Sequence, residues 1–571
     1  MRSRPARPAT PDAAPVPAGL PVSSRRAVLA TAGGAVLAGT GLLSACARPS
    51  APGAAGGGAA ATAAGAAHGH GHGGAPRAGA PADGTDGYVD PAGPEVRAAE
   101  AARTATGPLT EVKLTATATP LDLGGGRTVR SWAYGDRLPG REVRATAGGT
   151  LALTLANNLP EATSLHWHGL ALRNDMDGVP GLTQREIPPG GSFPYRFAVP
   201  QPGTYWFHPH TGVQQDRGLY APLVVEDPKE PLAYDKEWVV VLDDWLDGVD
   251  GSTPDAVLAD LRKGASGRNG GAGAPGHHPG QPGRPRTGRS GAPAPAHGRA
   301  ADTSDVLGDE PGNVLYPYYL VNGRTADDPS VFTAQPGDRI RLRIINAGGE
   351  TAFRIALGGH EMTVTHTDGF PVETARTGAL LLGMGERYDV LVTALDGVFP
   401  LTALAEGKGG SALALLRTGS GTAPTAATRP AELDGPPLQA GALKAAGSAA
   451  LAAREPDRTV RLRLTGSMAR YDWAFDGQPY TPDQRRPVQA GERVRLEFEN
   501  RTAMWHPLHL HGHTFALGSA AGGARKDTAI VLPRGRLTVE FDADNPGLWM
   551  LHCHNVYHSE SGMMTVLGYR R

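Results

Sequence analysis

One pattern occurs three times along this chain: a glycine, three alternate apolar residues and a closing asparagine. The copies span residues 148–157 with Leu151, Leu153 and Leu155, residues 337–346 with Ile340, Leu342 and Ile344, and residues 491–500 with Val494, Leu496 and Phe498. Alternation at period two marks a strand with one buried face. In the second and third copies the intervening positions are mostly charged: Arg339, Arg341 and Arg343, then Arg493, Arg495 and Glu497. A second shared element closes the outer blocks. Phe197, Pro202-Gly203 and His208-Pro209-His210 in the first match Phe541, Pro546-Gly547 and His552-Cys553-His554 in the third, with the same spacing from proline to first histidine. Repetition of a strand-rich unit predicts an all-β protein of three related β-sandwich domains of Greek-key type. The residues with helical character are few, chiefly a short helix predicted from Pro254 to Arg262.

The 79 glycines and 50 prolines among 571 residues gather in stretches that cannot bury a core. They divide the chain into a leader over residues 1–46, a low-complexity and disordered tether over 47–107, and domains at 108–230, 231–418 and 458–571. The second domain carries a Gly/Pro/Arg-rich insert at 264–302 with His277, His278 and His297, and an Ala/Gly/Pro-rich linker at 419–457 precedes the third. Net charge is −1, so no basic footprint points to nucleic acid.

The leader holds Ser24-Arg25-Arg26-Ala27-Val28-Leu29, a twin-arginine pattern, followed by a weakly apolar stretch through Leu43 that is short and glycine-interrupted for a permanent membrane span. It ends at Leu43-Ser44-Ala45-Cys46, similar to a bacterial lipobox whose cysteine is acylated after cleavage. The expectation is twin-arginine export, then residence on the outer face of the cell membrane through Cys46 or release outside the cell. An ordinary signal peptide with a chance cysteine is the alternative. The tether contains His68, His70 and His72, which read as a polar linker or a weak copper or nickel site.

Nine residues past each closing asparagine the repeats diverge in chemistry. The first copy gives His166 and His168, the third gives His509 and His511, and the second gives Ile355 and Leu357. Residues i and i+2 of a strand point to one side, so each His-x-His can aim two imidazoles at one place. With His208, His210, His552 and His554 the outer domains supply eight histidines, four each. Eight exceed the needs of one ion and suit a cluster with two, three and three ligands. The third domain adds His506, Cys553, His558 and Met563; two imidazoles, a thiolate and a weak axial thioether make a blue-copper site. At equivalent offsets the first domain has Thr163, Pro209, Gln214 and Leu219, so it can build half the cluster but no blue site. Cys553 is bonded directly to His552 and His554, a covalent path from a collecting site to a multi-ion site.

These motifs resemble those of the multicopper oxidases, the family of laccases, bacterial cuprous oxidases and ascorbate oxidase. The resemblance rests on His166-Trp167-His168-Gly169, Trp206-Phe207-His208-Pro209-His210, His506-Pro507-Leu508-His509-Leu510-His511 and His552-Cys553-His554 through Met563, and covers about residues 108–571. It implies cupredoxin-like domains and four copper ions: one type 1 on His506, Cys553, His558 and Met563; one type 2 on His166 and His509; and two type 3 on His168, His208, His210, His511, His552 and His554. It implies dioxygen and a small reducing substrate (a phenol, an amine or cuprous ion) as partners. Water formation needs protons. In similar bacterial enzymes an acid near the first His-x-His supplies them, and Asp177 stands at that place, with a turn role before Gly178 as the alternative. Relatives also carry an acid directly after the second type 1 histidine; here Ser559 occupies that position and Glu560 follows. Either Glu560 substitutes with altered geometry or that proton path differs. His513 lies outside the ligand pattern and reads as a structural or orienting residue.

Three functions follow. The first is laccase-like oxidation of phenols or amines, the second oxidation of cuprous or other metal ions in copper tolerance, and the third copper binding or electron transfer without oxygen chemistry. The eight cluster histidines weigh against the third. Cuprous oxidases of the family often carry methionine-rich segments over the type 1 site, whereas this chain has nine methionines and no such run.

Overall fold

The three alternating segments form strands Gly149–Asn158, Arg339–Asn346 and Arg493–Asn500, and each lies in the interior of its own sheet. The computed structural model describes residues 87–103, 105–266, 303–519 and 522–571. The twin-arginine pattern, Cys46, residues 68–72 and the three histidines of the insert lie outside the described residues. Among the described residues there are six sheets, two for each repeat, in an all-β cupredoxin fold.

In the first repeat, strands Arg127–Tyr134, Leu109–Gly124, Gly149–Asn158 and Ser192–Val199 form one sheet in that order. Strands Val143–Thr146, Ala221–Glu226, Gly203–His208 and His166–His168 form the other. The third repeat places Leu548–Cys553 beside His506–Leu510 in the equivalent sheet. In the middle repeat Phe353–Leu357 fills that position beside Val398–Ala405. Its Ile355 and Leu357 have no exposed surface, so where the outer domains carry histidines the middle one has ordinary core.

The closing asparagine does the same work three times. The Asn157 amide donates to the carbonyls of Glu161 and Ile187, both at 2.8 Å, and accepts from the Leu159 N–H. Asn346 donates to Thr351 and Leu382 and accepts from Gly348. Asn500 donates to Met504 and Leu532 and accepts from Thr502. Each fully buried amide thereby folds the loop leading to the next strand, which in the outer domains carries the first His-x-His. A side chain that meets three backbone groups at once explains why the repeat ends on this residue.

The charged positions of the second copy are not a solvated face. Arg341 and Arg343 are 2% and 3% exposed. Both pair with Asp389, at 2.6 and 3.0 Å, and Arg343 donates to Thr204 of the first repeat at 2.9 Å. Burial alone would raise the Asp389 carboxyl, but the two guanidiniums hold it well below the usual range. The alternation predicted a strand correctly; the second face is buried because this strand sits against a neighbouring repeat.

Three segments are more structured than composition suggests. Within the expected tether, residues 87–103 carry helix Pro94–Ala102 and bury Val89 and Val96, while Tyr88 bridges to Arg570. Pro94 starts the helix where its missing N–H has no cost. The linker at 419–457 packs along the protein: the Leu438 N–H donates to Ala379, Ala445 to Gly522, and Leu433 is fully buried. The predicted short helix runs Pro254–Ser266, one turn longer than its apolar pattern indicated.

Candidate metal centre

Register brings the histidines of each outer domain together before any domain contact is considered. His166 lies directly opposite His208 in one antiparallel pair, and His509 opposite His552 in the other. Residues opposite each other and residues two apart share a face. The intervening Trp167 points the other way and packs in the core against Tyr195, Phe197 and Phe207.

The two faces then meet. The His166 ring stacks on His511 and the His168 ring on His509, each with centroids 3.8 Å apart. His168, His208 and His554 form one triad whose ligand atoms lie within 4.8 Å of one another, and His210, His511 and His552 form a second. His166 and His509 lie between them, with ring centroids 5.7 Å apart. All eight histidines expected to build the cluster therefore converge, four from each end of the folded chain. Gly385 of the middle domain forms one wall: a Cβ there would come within 2.8 Å of the His168 ring, and its φ of +85° suits only glycine.

Hydrogen bonds on the outer nitrogens set the direction of the inner ones. The Nδ1 of His166 faces the Asp177 carbonyl at 2.9 Å, that of His208 the Pro209 carbonyl at 2.9 Å, and that of His509 the Asp527 carbonyl at 3.0 Å. Each Nδ1–H donates outward, so the lone pair sits on Nε2. The Nε2 atoms of these three residues are buried with no hydrogen-bond partner. Unpaired buried nitrogens aimed at a common point are costly unless they ligate something. His168 is reversed. Its Nε2 faces Asp527 Oδ1 at 3.1 Å and its Nδ1 faces His554 Nε2 at 3.2 Å. Burial, reinforced by the neighbouring imidazoles, lowers the pKa of His168, His208, His210, His511, His552 and His554, so these rings are neutral near pH 7. The donor set and its protonation fit copper.

Beside this cluster the Cys553 sulfur lies 3.6 Å from His506 Nδ1 and 3.8 Å from His558 Nδ1, and the two Nδ1 atoms are 3.2 Å apart. All three residues and Met563 have no exposed surface. The Cys553 N–H donates to the Met563 carbonyl and the Met563 N–H to that of His558, which closes the loop around the sulfur. Asn555 starts the short helix Val556–Glu560 by accepting from the N–H groups of Tyr557 and His558, and so positions the second imidazole. Burial pushes the Cys553 thiol far up and the His506 ring down to about 3.

Of the two acids singled out, Asp177 is fully buried, and its carboxylate accepts from His511 Nδ1 at 2.9 Å. It also closes the turn before Gly178, its N–H donating to the Asn174 carbonyl at 3.1 Å. Glu560 lies farther out, in the wall of a narrow cavity lined by His208, His210, His552 and His554. Burial raises its pKa against the opposing Arg262 guanidinium, with Asp255 raising it further. His513 is structural, with its Nδ1 at the His511 carbonyl and its Nε2 2.6 Å from the Tyr569 hydroxyl.

Sequence reading missed Asp527. Its side chain contacts His168, its carbonyl accepts from His509, and both its oxygens pair with Arg387 of the middle domain at 2.7 Å. A lone acid opening the apolar run Thr528–Val531 was the available signal. Its partner lies 140 residues earlier, beyond the reach of local pattern.

Comparison with known proteins agrees with this geometry. Family models described as multicopper oxidase match residues 115–230, 299–421 and 453–570. The chain is 48% identical to the multicopper oxidase MmcO of Mycobacterium tuberculosis over 83% of its own length and 90% of that protein. It is 30% identical to a copper resistance protein A homologue of Pseudomonas syringae, over 80% of this chain and 91% of the relative. Among solved structures, a multi-copper oxidase from Pseudomonas thermotolerans superposes with a TM-score of 0.59 at 27% identity, covering 81% of this chain and 99% of the other. A laccase from Botrytis aclada shares the fold at 24% identity, with a TM-score of 0.61 over 82% and 88% of the two chains.

Proposed function

The chain belongs to the multicopper oxidases, and from that premise we propose a laccase-like enzyme that oxidises phenols or amines one electron at a time and reduces dioxygen to water with four electrons. That it is a copper-dependent oxidoreductase using dioxygen follows from the family. The observation that carries the four-electron chemistry is the convergence of eight histidines beside a cysteine covalently joined to two of them, and nine methionines without a methionine-rich run favour organic donors over cuprous ion.

In this reading His506, Cys553, His558 and Met563 hold a type 1 ion, His166 and His509 a type 2 ion, and the two triads a type 3 pair, four coppers in all. Bound copper supplies one-electron redox chemistry at the first site and dioxygen reduction at the cluster. The protein's own residues orient, exclude water and manage protons. Backbone carbonyls fix the ring tautomers, and Asp177 and Asp527 hold His511 and His168. Asp177 and Glu560 serve the protons, Asp177 from beneath the cluster and Glu560 from the cavity wall. Glu560→Gln should lower kcat by about 10²-fold, the low end for a lost general acid, and leave the blue absorption unchanged. An unaltered kcat would remove Glu560 from the proton path.

A second reading, cuprous oxidation, is favoured by the copper resistance proteins among the relatives. Oxygen uptake by the copper-loaded protein separates the two: the laccase-like reading requires a higher kcat/KM with a phenolic donor than with cuprous ion, and the reverse order rejects it. The leader sequence supports twin-arginine export and lipid attachment at Cys46; an unacylated N-terminal peptide in the membrane fraction would argue against the anchor.

A further inference from the structure

The outer edge of His558 is sealed by this chain's own side chains. His558 has no exposed surface, and Asn313, Tyr471 and Trp473, which surround it, are 7%, 4% and 1% exposed. The Trp473 ring lies 4.3 Å from the His558 ring and the Tyr471 ring 6.3 Å from it, centroid to centroid. Asn313 Nδ2 stands 3.1 Å from His558 Nε2.

That last contact contains a contradiction with a chemical solution. His558 Nδ1 faces the Cys553 sulfur and His506 Nδ1, so its proton belongs on Nε2, which is then a donor. An amide NH₂ opposite it sets two donors face to face. Meanwhile Asn313 Oδ1 and Trp473 Nε1 are buried without a partner, and the Tyr471 hydroxyl lies beside the Asn313 side chain. Amide oxygen and nitrogen are assigned from the hydrogen-bond network rather than from shape. Turning the Asn313 amide by half a revolution places Oδ1 on the Nε2–H and removes the clash of donors without moving the backbone.

The backbone at this point is firmly held. The N–H groups of Asn313 and Val314 donate to the two carboxylate oxygens of Glu350, the latter at 3.1 Å, and Glu350 pairs with Lys408 in a fully buried ion pair. The neighbouring Gly349 carbonyl accepts from the N–H of Val556, the first residue of the short helix that carries His558. One middle-domain loop therefore fixes both Asn313 and the imidazole it faces.

We propose that Asn313 is a positioning residue for electron entry: its Oδ1 accepts the His558 Nε2–H, locks the ring and tunes the reduction potential of the ion that His558 holds. Substrate does not touch His558; its electrons cross the layer formed by Asn313, Tyr471 and Trp473. This inference rests on the type 1 assignment of His506, Cys553 and His558. An acceptor on the distal N–H makes an imidazole a stronger donor to its metal, which favours the oxidised ion and lowers the potential. A carboxylate in the same place does so more strongly.

The test uses the copper-loaded full chain with Asn313→Leu and Asn313→Asp, read by the blue absorption, by a redox titration of that absorption against poised mediators, and by steady-state kinetics with a phenolic donor. Both variants should stay blue. The potential should rise in Asn313→Leu and fall in Asn313→Asp, with kcat changing more than KM. Unchanged potentials, or shifts of one sign in both variants, overturn the proposal. Should Asn313→Leu fail to fold, Asn313→Asp, which keeps the side-chain shape, decides alone: a potential equal to or above that of the parent rejects it. A parent protein without blue absorption would instead sink the type 1 assignment itself.

Discussion

Replacing Cys553 with serine is expected to abolish the blue absorption and reduce dioxygen consumption to background, while copper content falls by one ion per chain. A hydroxyl is a hard, weak ligand for copper, and it cannot supply the thiolate charge transfer that gives such sites their colour. The substitution is otherwise small. Cys553 is fully buried, so the serine hydroxyl would be left with few partners and cost about 1–3 kcal/mol, which a folded domain of this size tolerates. His552 keeps its register opposite His509, both His552 and His554 stay in their triads, and the cluster ligands survive. Absorption spectroscopy and metal analysis of the purified variant check both halves. A variant that remains blue would mean that the sulfur between these two imidazoles has another role.

The second large effect is predicted for Arg387→Met. Arg387 and Asp527 are fully buried and joined by two 2.7 Å hydrogen bonds. Removing the guanidinium strands a carboxylate where water cannot reach it, a loss of about 3–5 kcal/mol. The charged network does not fill the gap, because Lys526 is already engaged by Asp368 and Glu386, each at 3.1 Å. Burial raises the Asp527 carboxyl, but Arg387 and the His168 and His509 contacts bring it well below the ordinary carboxylate range. A depressed folded-state pKa contributes stability that is present above the unfolded value of about 4 and is lost as pH falls through the folded one. The deficit of the variant should therefore be present at pH 7 and shrink on acidification as its unpaired, buried Asp527 takes up a proton while the parent's stays ionised. Asp527 also orients His168 and His509, so copper should leave the cluster before the blue absorption fades. Urea unfolding across pH, with metal analysis, measures both; equal stability of variant and parent at pH 7 would show the pair to be dispensable.

What could be read in advance divides along a physical line. Ligand identity is local: His-x-His at matched offsets, and the short run from Cys553 to Met563, state their chemistry within a few residues. So does strand periodicity, which placed all three repeats. The supporting groups act across the chain. Arg341 and Arg343 look like a solvated face until a neighbouring repeat covers them. Asp527 needs Arg387 from another domain, and Asn313 follows an insert whose composition suggests nothing ordered. Segments 87–103 and 419–457 are poor in large apolar residues and read as spacers, yet a few buried side chains such as Val96 and Leu433, with backbone pairing, dock them. Composition measures how much core a segment can make for itself, and these two borrow theirs.

The placement of the histidine quartets at opposite ends of the folded chain fixes an order of maturation. Nothing resembling the cluster exists while the ribosome is still making residues 500 onwards, and neither half can form either triad alone, since each mixes imidazoles from both ends. The two triads can therefore form only once the third repeat has folded against the first.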